Sequence, residues 1–258
     1  MAAHASPRVL NLLHVRAATS DDPAAESRLA AISQHCRREG VVCEARSLPP
    51  AASLAAALQH EVPAGEGSFL ICGTRRGERG RSGGGGKLAE EMLRSGHCHV
   101  LAMHVVSPGL LGLPRNVLLP IAGRPRGLNS GILWLELLGP DATQIRILHV
   151  AQVGRRRWRH LTPCAVESLR RAGQAACDRI EHELQRRLRG TPCVAESQAV
   201  VSDDIAREVV LTANRTHTRL ILLGASERSL SARLATLSPI DGVLRTASCD
   251  VGIYRGPP

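Results

Sequence analysis

Gly73 and Gly224 each close an apolar run, Ser68-Phe-Leu-Ile-Cys-Gly73 and Arg219-Leu-Ile-Leu-Leu-Gly224, and they lie 151 residues apart. Cys98 and Cys249 are separated by the same 151 residues, each just before a final short apolar run, Val100 to Val106 and Val251 to Tyr254. Between glycine and cysteine both copies place a loop and then a helical segment, Leu88 to Leu93 and Pro239 to Leu244. Matched strand, glycine, loop, helix and cysteine mark an internal repeat, which restricts the chain to folds that use one supersecondary unit twice. Upstream, Leu12-Leu13-His14-Val15 matches Ile147-Leu148-His149-Val150 at an offset of 135, so the second copy carries 16 more residues between its landmarks.

The second copy alternates strands and helices. A strand over Asn116 to Ile121 precedes Gly123 and a helix over about Leu128 to Leu138, and a strand over Ile145 to Val150 follows. From Ala165 to Leu188, Val166, Leu169, Ala172, Ala176, Ile180, Leu184 and Leu188 recur at spacings of three and four, one buried helical stripe that Gly190 stops. A strand over Val194 to Val200, a helix from Ser202 to about Asn214 with Asp203 and Asp204 in its first turn, and a strand over Leu220 to Leu223 complete the series. Such alternation predicts a parallel sheet covered by helices on both faces.

The first copy begins at the second strand of this scheme, Val9 to Val15, and continues with helix Glu26 to Arg38, strand Val41 to Ala45, helix Ala51 to His60 and strand Phe69 to Cys72. It has no counterpart of the first strand and helix. The expected organisation is an abbreviated lobe over 1–106, a linker over 107–114 and a complete lobe over 115–258. A lobe without its central strand must pair its strands differently or borrow an edge from a second chain, which makes a homodimer an expectation.

At 258 residues, with 43% hydrophobic and 22% charged residues and a mean hydropathy of -0.06, the chain can build two packed cores. No apolar run approaches the ~18 residues of a membrane span, and Met1 to Arg8 has no hydrophobic signal core, so a cytoplasmic location is expected. The eight cysteines have no paired spacing and read as reduced, buried thiols. The net charge of +10 rests on arginine, since Lys87 is the single lysine. Phe69, Trp134, Trp158 and Tyr254 are too few to form base-stacking platforms, so nucleic acid is not the expected partner.

The segment with chemistry in it is Gly73-Thr-Arg-Arg-Gly-Glu-Arg-Gly-Arg-Ser-Gly-Gly-Gly-Gly-Lys87, directly before a helix. Glycines at a helix N-terminus expose N–H groups, and four arginines with Lys87 add positive charge, a chemistry suited to phosphate. It is not a Walker loop: the position five before Gly86 is Arg81, and Leu88 stands where a hydroxyl is needed. A glycine loop with solvated arginines is the competing reading. In the second copy Ser238-Pro239-Ile240-Asp241 reads as a helix cap, a proline at the first helical position and an acid in the first turn, while Glu227 opposes a phosphate.

These residues resemble the universal stress protein family in a tandem, degenerate form. That family's pattern is a strand ending in glycine, two residues, glycine, nine residues, glycine, then serine or threonine. Gly73 and Gly86 fall on its first and last glycines, with Arg76 and Lys87 replacing the middle glycine and the hydroxyl; Thr74 lies inside the same loop. In the second copy Gly224 and Ser238 match, and Glu227 and Leu237 replace the later glycines. The first-strand motif, usually Val-Asp-Gly-Ser, reads Ile121-Ala122-Gly123-Arg124 and lacks the aspartate. The resemblance implies two α/β lobes with parallel sheets, strand order 3-2-1-4-5 in the second, the first lobe lacking its first strand and helix. It implies nucleotide or phosphate contacts at Gly73, Thr74, Arg76, Gly86 and Lys87, and weaker ones at Gly123, Gly224 and Ser238. The second copy is most similar to stress-protein-like modules at the cytoplasmic ends of amino-acid and cation transporters, which implies a regulatory role.

Other clusters carry less. His97-Cys98-His99 with His104 has zinc-type ligands, but Cys98 sits where the repeat puts Cys249, which reads as a buried cysteine of a turn; no metal site is expected. His14 and His149 end matched strands and are read as packing or capping residues. Arg155-Arg156-Arg157-Trp158-Arg159 and Arg186-Arg187-Leu188-Arg189 offer contact with a membrane surface, against a solvated helical face for the second run. No paired carboxylates, nucleophile elbow or metal triad appears, so no catalytic residue is assigned. The expected function is a non-enzymatic cytoplasmic regulator acting through protein contacts, as a module of a membrane transporter or alone, with no cofactor required. The alternative is a sensor that binds ATP or another adenine nucleotide through the first glycine loop.

Overall fold

The computed structural model describes residues 9–16, 23–74, 87–106, 113–121, 128–138, 141–225 and 238–257. The chain divides into two compact units between Pro63 and Ala64. In the first unit, strands β1 (Val9–Val15) and β2 (Val42–Leu48) pair in parallel, from Val9 opposite Val42 to Val15 opposite Leu48. Helix α1 (Pro23–Arg38) buries Ala25, Ser33 and Cys36. Helix α2 (Leu54–Glu61) starts three residues later than the apolar run suggests. Its start is set by Ser53, whose Oγ accepts the Ala56 N–H at 3.1 Å, a cap that Ala51 cannot provide.

The second unit holds a seven-stranded sheet. In chain order its elements are β3 (Gly65–Gly73), α3 (Lys87–Ser95), β4 (Cys98–His104), β5 (Asn116–Ile121), α4 (Leu128–Leu138), β6 (Gln144–Gln152), the single turn α5 (Arg155–Trp158), α6 (Pro163–Arg187), β7 (Val194–Ser202), α7 (Ile205–Arg215), β8 (Leu220–Gly224), α8 (Pro239–Thr246) and β9 (Asp250–Arg255). The sheet order is β3-β4-β9-β8-β5-β6-β7. The second copy's five strands thus run 3-2-1-4-5 and all pair in parallel, as the alternation and the resemblance imply.

Both faces of the second copy's parallel part of this sheet are buried, as a parallel sheet requires. On one face Val117, Leu119, Ile145, Ile147, Leu220, Leu222 and Tyr254 form a core with Trp134 and Leu135 of α4 and Cys177, Ile180 and Leu184 of α6. The alternating residues Leu118, Leu148, Ile221 and Leu223 point the other way and are buried as well. The stripe of α6 follows the predicted period at Ile180, Leu184 and Leu188, but its N-terminal half is one position displaced, through Gly173 and Cys177. Asp204 caps α7, its carboxylate accepting the Arg207 N–H at 3.0 Å, and so precedes the first turn that it was expected to occupy.

The repeat is realised to the level of single hydrogen bonds. Gly73 pairs with Met103 and Gly224 with Tyr254; the Thr74 N–H donates to the Met103 carbonyl and the Ala225 N–H to the Tyr254 carbonyl, each at 2.8 Å. Every partner is displaced by 151 residues from its counterpart. Strands β4 and β9 pair antiparallel, and at their centre Ala102 lies opposite Ile253, its own repeat equivalent. The two copies therefore meet across a pseudo-two-fold axis within one chain. Cys98, expected in a turn, is the first residue of β4 and fully buried.

Within the chain the strands of the first copy pair differently from those of the second. In the second copy β5 sits between β6 and β8 and ties the second and third strands to the fourth and fifth. Without its counterpart the first copy's strands separate into the β1–β2 pair and the β3–β4 pair, the latter continued by β9.

Candidate functional site

Of the positions singled out by the glycine pattern, Gly73 ends β3 and Gly224 ends β8, strand ends of the kind at which open α/β sheets bind ligands; because β4 and β9 pair antiparallel, these two ends lie at opposite edges of the sheet. Arg76, Gly86 and Gly123 lie outside the described residues. Gly73 ends β3, and Thr74 follows it with its Oγ1 at 3.1 Å from Nδ1 of the buried His104. Lys87 opens α3; its side chain is 91% exposed, and Nζ stands 3.9 Å from Glu91. That separation makes a loose ion pair that leaves the ammonium open to an anion.

In the second copy Ser238 is buried and its Oγ accepts the Ile240 N–H at 3.3 Å, with Pro239 at the first helical position. The expected capping chemistry is present. Gly224 is occupied from the side by Tyr254, a residue the sequence patterns did not single out. A Cβ on Gly224 would lie 3.1 Å from the Tyr254 hydroxyl, and one on Gly131 of α4 only 2.6 Å from the phenol. The ring thus fills the space between α4 and the end of β8: a side chain at 131 would force it to move, and one at 224 would crowd it. Tyr254 ends the apolar run Val251 to Tyr254, a pattern that marks a strand and does not say which glycines the ring meets.

Burial pushes the Tyr254 phenol up to about 12. The sign of its pH effect follows directly: below pH 10 both states hold the proton, and between about 10 and 12 only the folded state does. Stability falls across that window, by about 2.7 kcal/mol for a two-unit displacement. Because Tyr254 is the single tyrosine, tyrosinate absorbance reads its ionisation directly. Urea midpoints over the same range should fall further in the parent chain than in Tyr254→Phe, and equal declines would place the phenol in water.

The remaining clusters are structural in character. His149 ends its strand pair with its ring against the α6 backbone at Gly173, and Nδ1 of both His149 and His14 is buried without a hydrogen-bond partner. Burial lowers the His149 pKa. All eight cysteines are free; Cys36, Cys98, Cys177 and Cys249 are buried, whereas Cys164 is exposed. Burial pushes the Cys177 and Cys249 thiols up to about 11, which keeps them protonated and unreactive near neutral pH. Among the described residues no three His, Cys, Asp or Glu side chains gather as metal ligands, and no helix is long and apolar enough to cross a membrane. Arg186 and Arg187 pair with Glu183, and Arg187 also with Glu136. Trp158, in the other basic run, is 39% exposed.

The sequence profile described as the universal stress protein family matches residues 115–255, just over half of the chain. The chain belongs to this family. No curated protein sequence matches it. Among solved structures, a universal stress protein from Archaeoglobus fulgidus is 14% identical with a TM-score of 0.56, the match covering 96% of this chain and 86% of that one. A protein of unknown function from Pseudomonas aeruginosa is 15% identical with a TM-score of 0.57, over 96% of this chain and 82% of the other. The cytoplasmic domain of a prokaryotic cation chloride cotransporter is 14% identical with a TM-score of 0.55, over 96% and 84% of the two chains. At such identities the shared property is the fold, here extended over nearly the whole chain. The universal stress protein fold accounts for the alternation, the strand order of the second copy and the repeat.

Proposed function

We propose that this universal stress protein is a non-enzymatic cytoplasmic regulator that acts through protein contacts and needs no bound nucleotide, in the manner of a regulatory module of a membrane transporter. The observation that carries this reading is the packing of Tyr254 against Gly131 and Gly224, which fills the strand end where the resemblance would put a phosphate loop. Ser238, the matched hydroxyl residue, already serves as a helix cap. The fold shared with a transporter's cytoplasmic domain supports the regulatory role. The pseudo-two-fold junction of β4 and β9 supplies within one chain a sheet contact between copies.

The second reading is an adenine-nucleotide sensor acting through Gly73, Thr74, Arg76, Gly86 and Lys87. What favours it is Lys87, exposed and loosely held at the first position of α3, where helix N–H groups and a cation reinforce each other toward an anion.

Thermal unfolding with excess ATP, ADP, AMP and cyclic AMP separates the two. A ligand at about 100 times its dissociation constant stabilises the native state by about 2.7 kcal/mol, enough for a clear shift in the midpoint. No shift with any of the four is the expected result. A shift selective for one nucleotide and lost in Lys87→Ala overturns it in favour of the sensor.

A further inference from the structure

The two copies provide an internal control for one surface. Strand β3 is an edge of the seven-stranded sheet, whereas its counterpart β8 is flanked by β5, with Leu220 opposite Val117 and Ile221 opposite Leu118. The repeat equivalents of Leu220 and Leu222 are Phe69 and Ile71. Leu220 and Leu222 are 3% and 0% exposed; Phe69 and Ile71 are 39% and 60% exposed. The same positions are thus core in one copy and surface in the other.

The charged Glu66 of β3 and the register shift of this strand both precede Phe69, so they guard only its beginning. Exposed edges are ordinarily guarded by charged side chains or proline, and Ser68 to Gly73 contains neither. At the opposite edge, β7 carries Glu196, held by Arg146 at 2.7 Å. Phe69 stacks on His99 with ring centroids 4.9 Å apart and meets the edge of Trp134 at 5.1 Å. His99 is 4% exposed, its Nδ1 2.9 Å from the Ser130 hydroxyl and its Nε2 buried with no hydrogen-bond partner.

We propose that β3 accepts, from a partner polypeptide, an apolar strand added in parallel and followed by a helix whose apolar face covers Phe69 and Ile71. The chemistry of this occupant is read from the second copy, where β5 and α4 perform both tasks for β8 and β9. The added strand pairs opposite Phe69 and Leu70, the equivalents of Leu220 and Ile221, and extends a sheet that already crosses between the copies. Backbone hydrogen bonds supply affinity and the apolar face supplies selectivity. The inference rests on the reading that the chain acts through protein contacts.

The probe is the chain's own strand–helix sequence, Arg115 to Leu138, as a peptide with a solubilising tail, added to the full chain. Amide exchange over Phe69 to Gly73 should slow by about 100-fold at a peptide concentration near 100 times the dissociation constant. Ile71→Lys should abolish the protection while leaving the melting temperature of the free chain unchanged, since the position is on the surface. If the free peptide aggregates, the same segment is joined through a flexible linker after Pro258, where its effective concentration is millimolar. Unchanged exchange over β3 with either form overturns the proposal. So does protection that appears without peptide as the chain dimerises in sedimentation, which would assign the edge to a second copy. The nucleotide titration on the same preparation tests the broader reading independently: β3 can fail to bind while no nucleotide shift appears, and a selective shift removes the broader reading whatever β3 does.

Discussion

Replacing Ala102 with aspartate should destabilise the unit of 64–258 by about 3–5 kcal/mol, a large share of the roughly 5–15 kcal/mol that holds a domain together. Ala102 is fully buried at the centre of the β4–β9 junction, between Cys72 on one side and Ile253 on the other. The neighbouring strands β3 and β9 take both of its hydrogen-bonding sides, and α3 packs on β4. A carboxylate at this fully buried position loses its hydration, so it must either fold protonated or force the strands apart. Ile253→Asp should cost a similar amount, because the two residues occupy equivalent places across the pseudo-two-fold axis. Urea midpoints of both variants provide the measurement. A loss below about 1 kcal/mol in either, the range of ordinary surface substitutions, would mean that the copies are not joined through this strand pair.

That junction was also what the sequence could not reveal. A repeat reports that two segments share a pattern and says nothing about whether they touch, so the offset of 151 anticipated the equal registers of β3–β4 and β8–β9 but not the antiparallel contact between copies. The second copy was legible because its signals are physical constraints that act locally: alternating apolar runs, the Ser238-Pro239 helix start and the stop at Gly190, which does adopt a positive φ of 89°. Boundaries shifted where a cap outranked periodicity, as at Ser53 and Asp204. Strand β3 reaches back to Gly65 through Gly-Glu-Gly-Ser, a stretch of poor strand formers, with a register shift between Gly65 and Phe69. The candidate site was half legible. Its glycines were visible as a pattern, but the ring of Tyr254, which closes against Gly224 and against Gly131 of α4 outside that pattern, is a tertiary contact between a strand and a helix distant in sequence.

Trp134→Ala should cost about 3–5 kcal/mol, and Trp134→Phe less than half as much. Trp134 is 2% exposed, among the largest fully buried side chains, and packs in the core formed by α4, α6 and the sheet while its ring meets the edge of Phe69. Truncation to alanine removes that area and leaves a cavity that close-packed strands on the other side cannot collapse into. Phenylalanine restores most of the apolar contact and differs in a second respect. The indole Nε1 is buried with no hydrogen-bond partner, so the native residue already bears a desolvation cost of about 1–3 kcal/mol that phenylalanine does not carry. The gain from deleting an unsatisfied donor offsets part of the lost volume. Urea denaturation of the three chains reads the difference. Equal losses for Ala and Phe would show that the indole N–H has a partner in solution, and therefore that the aromatic cluster under β3 is already covered.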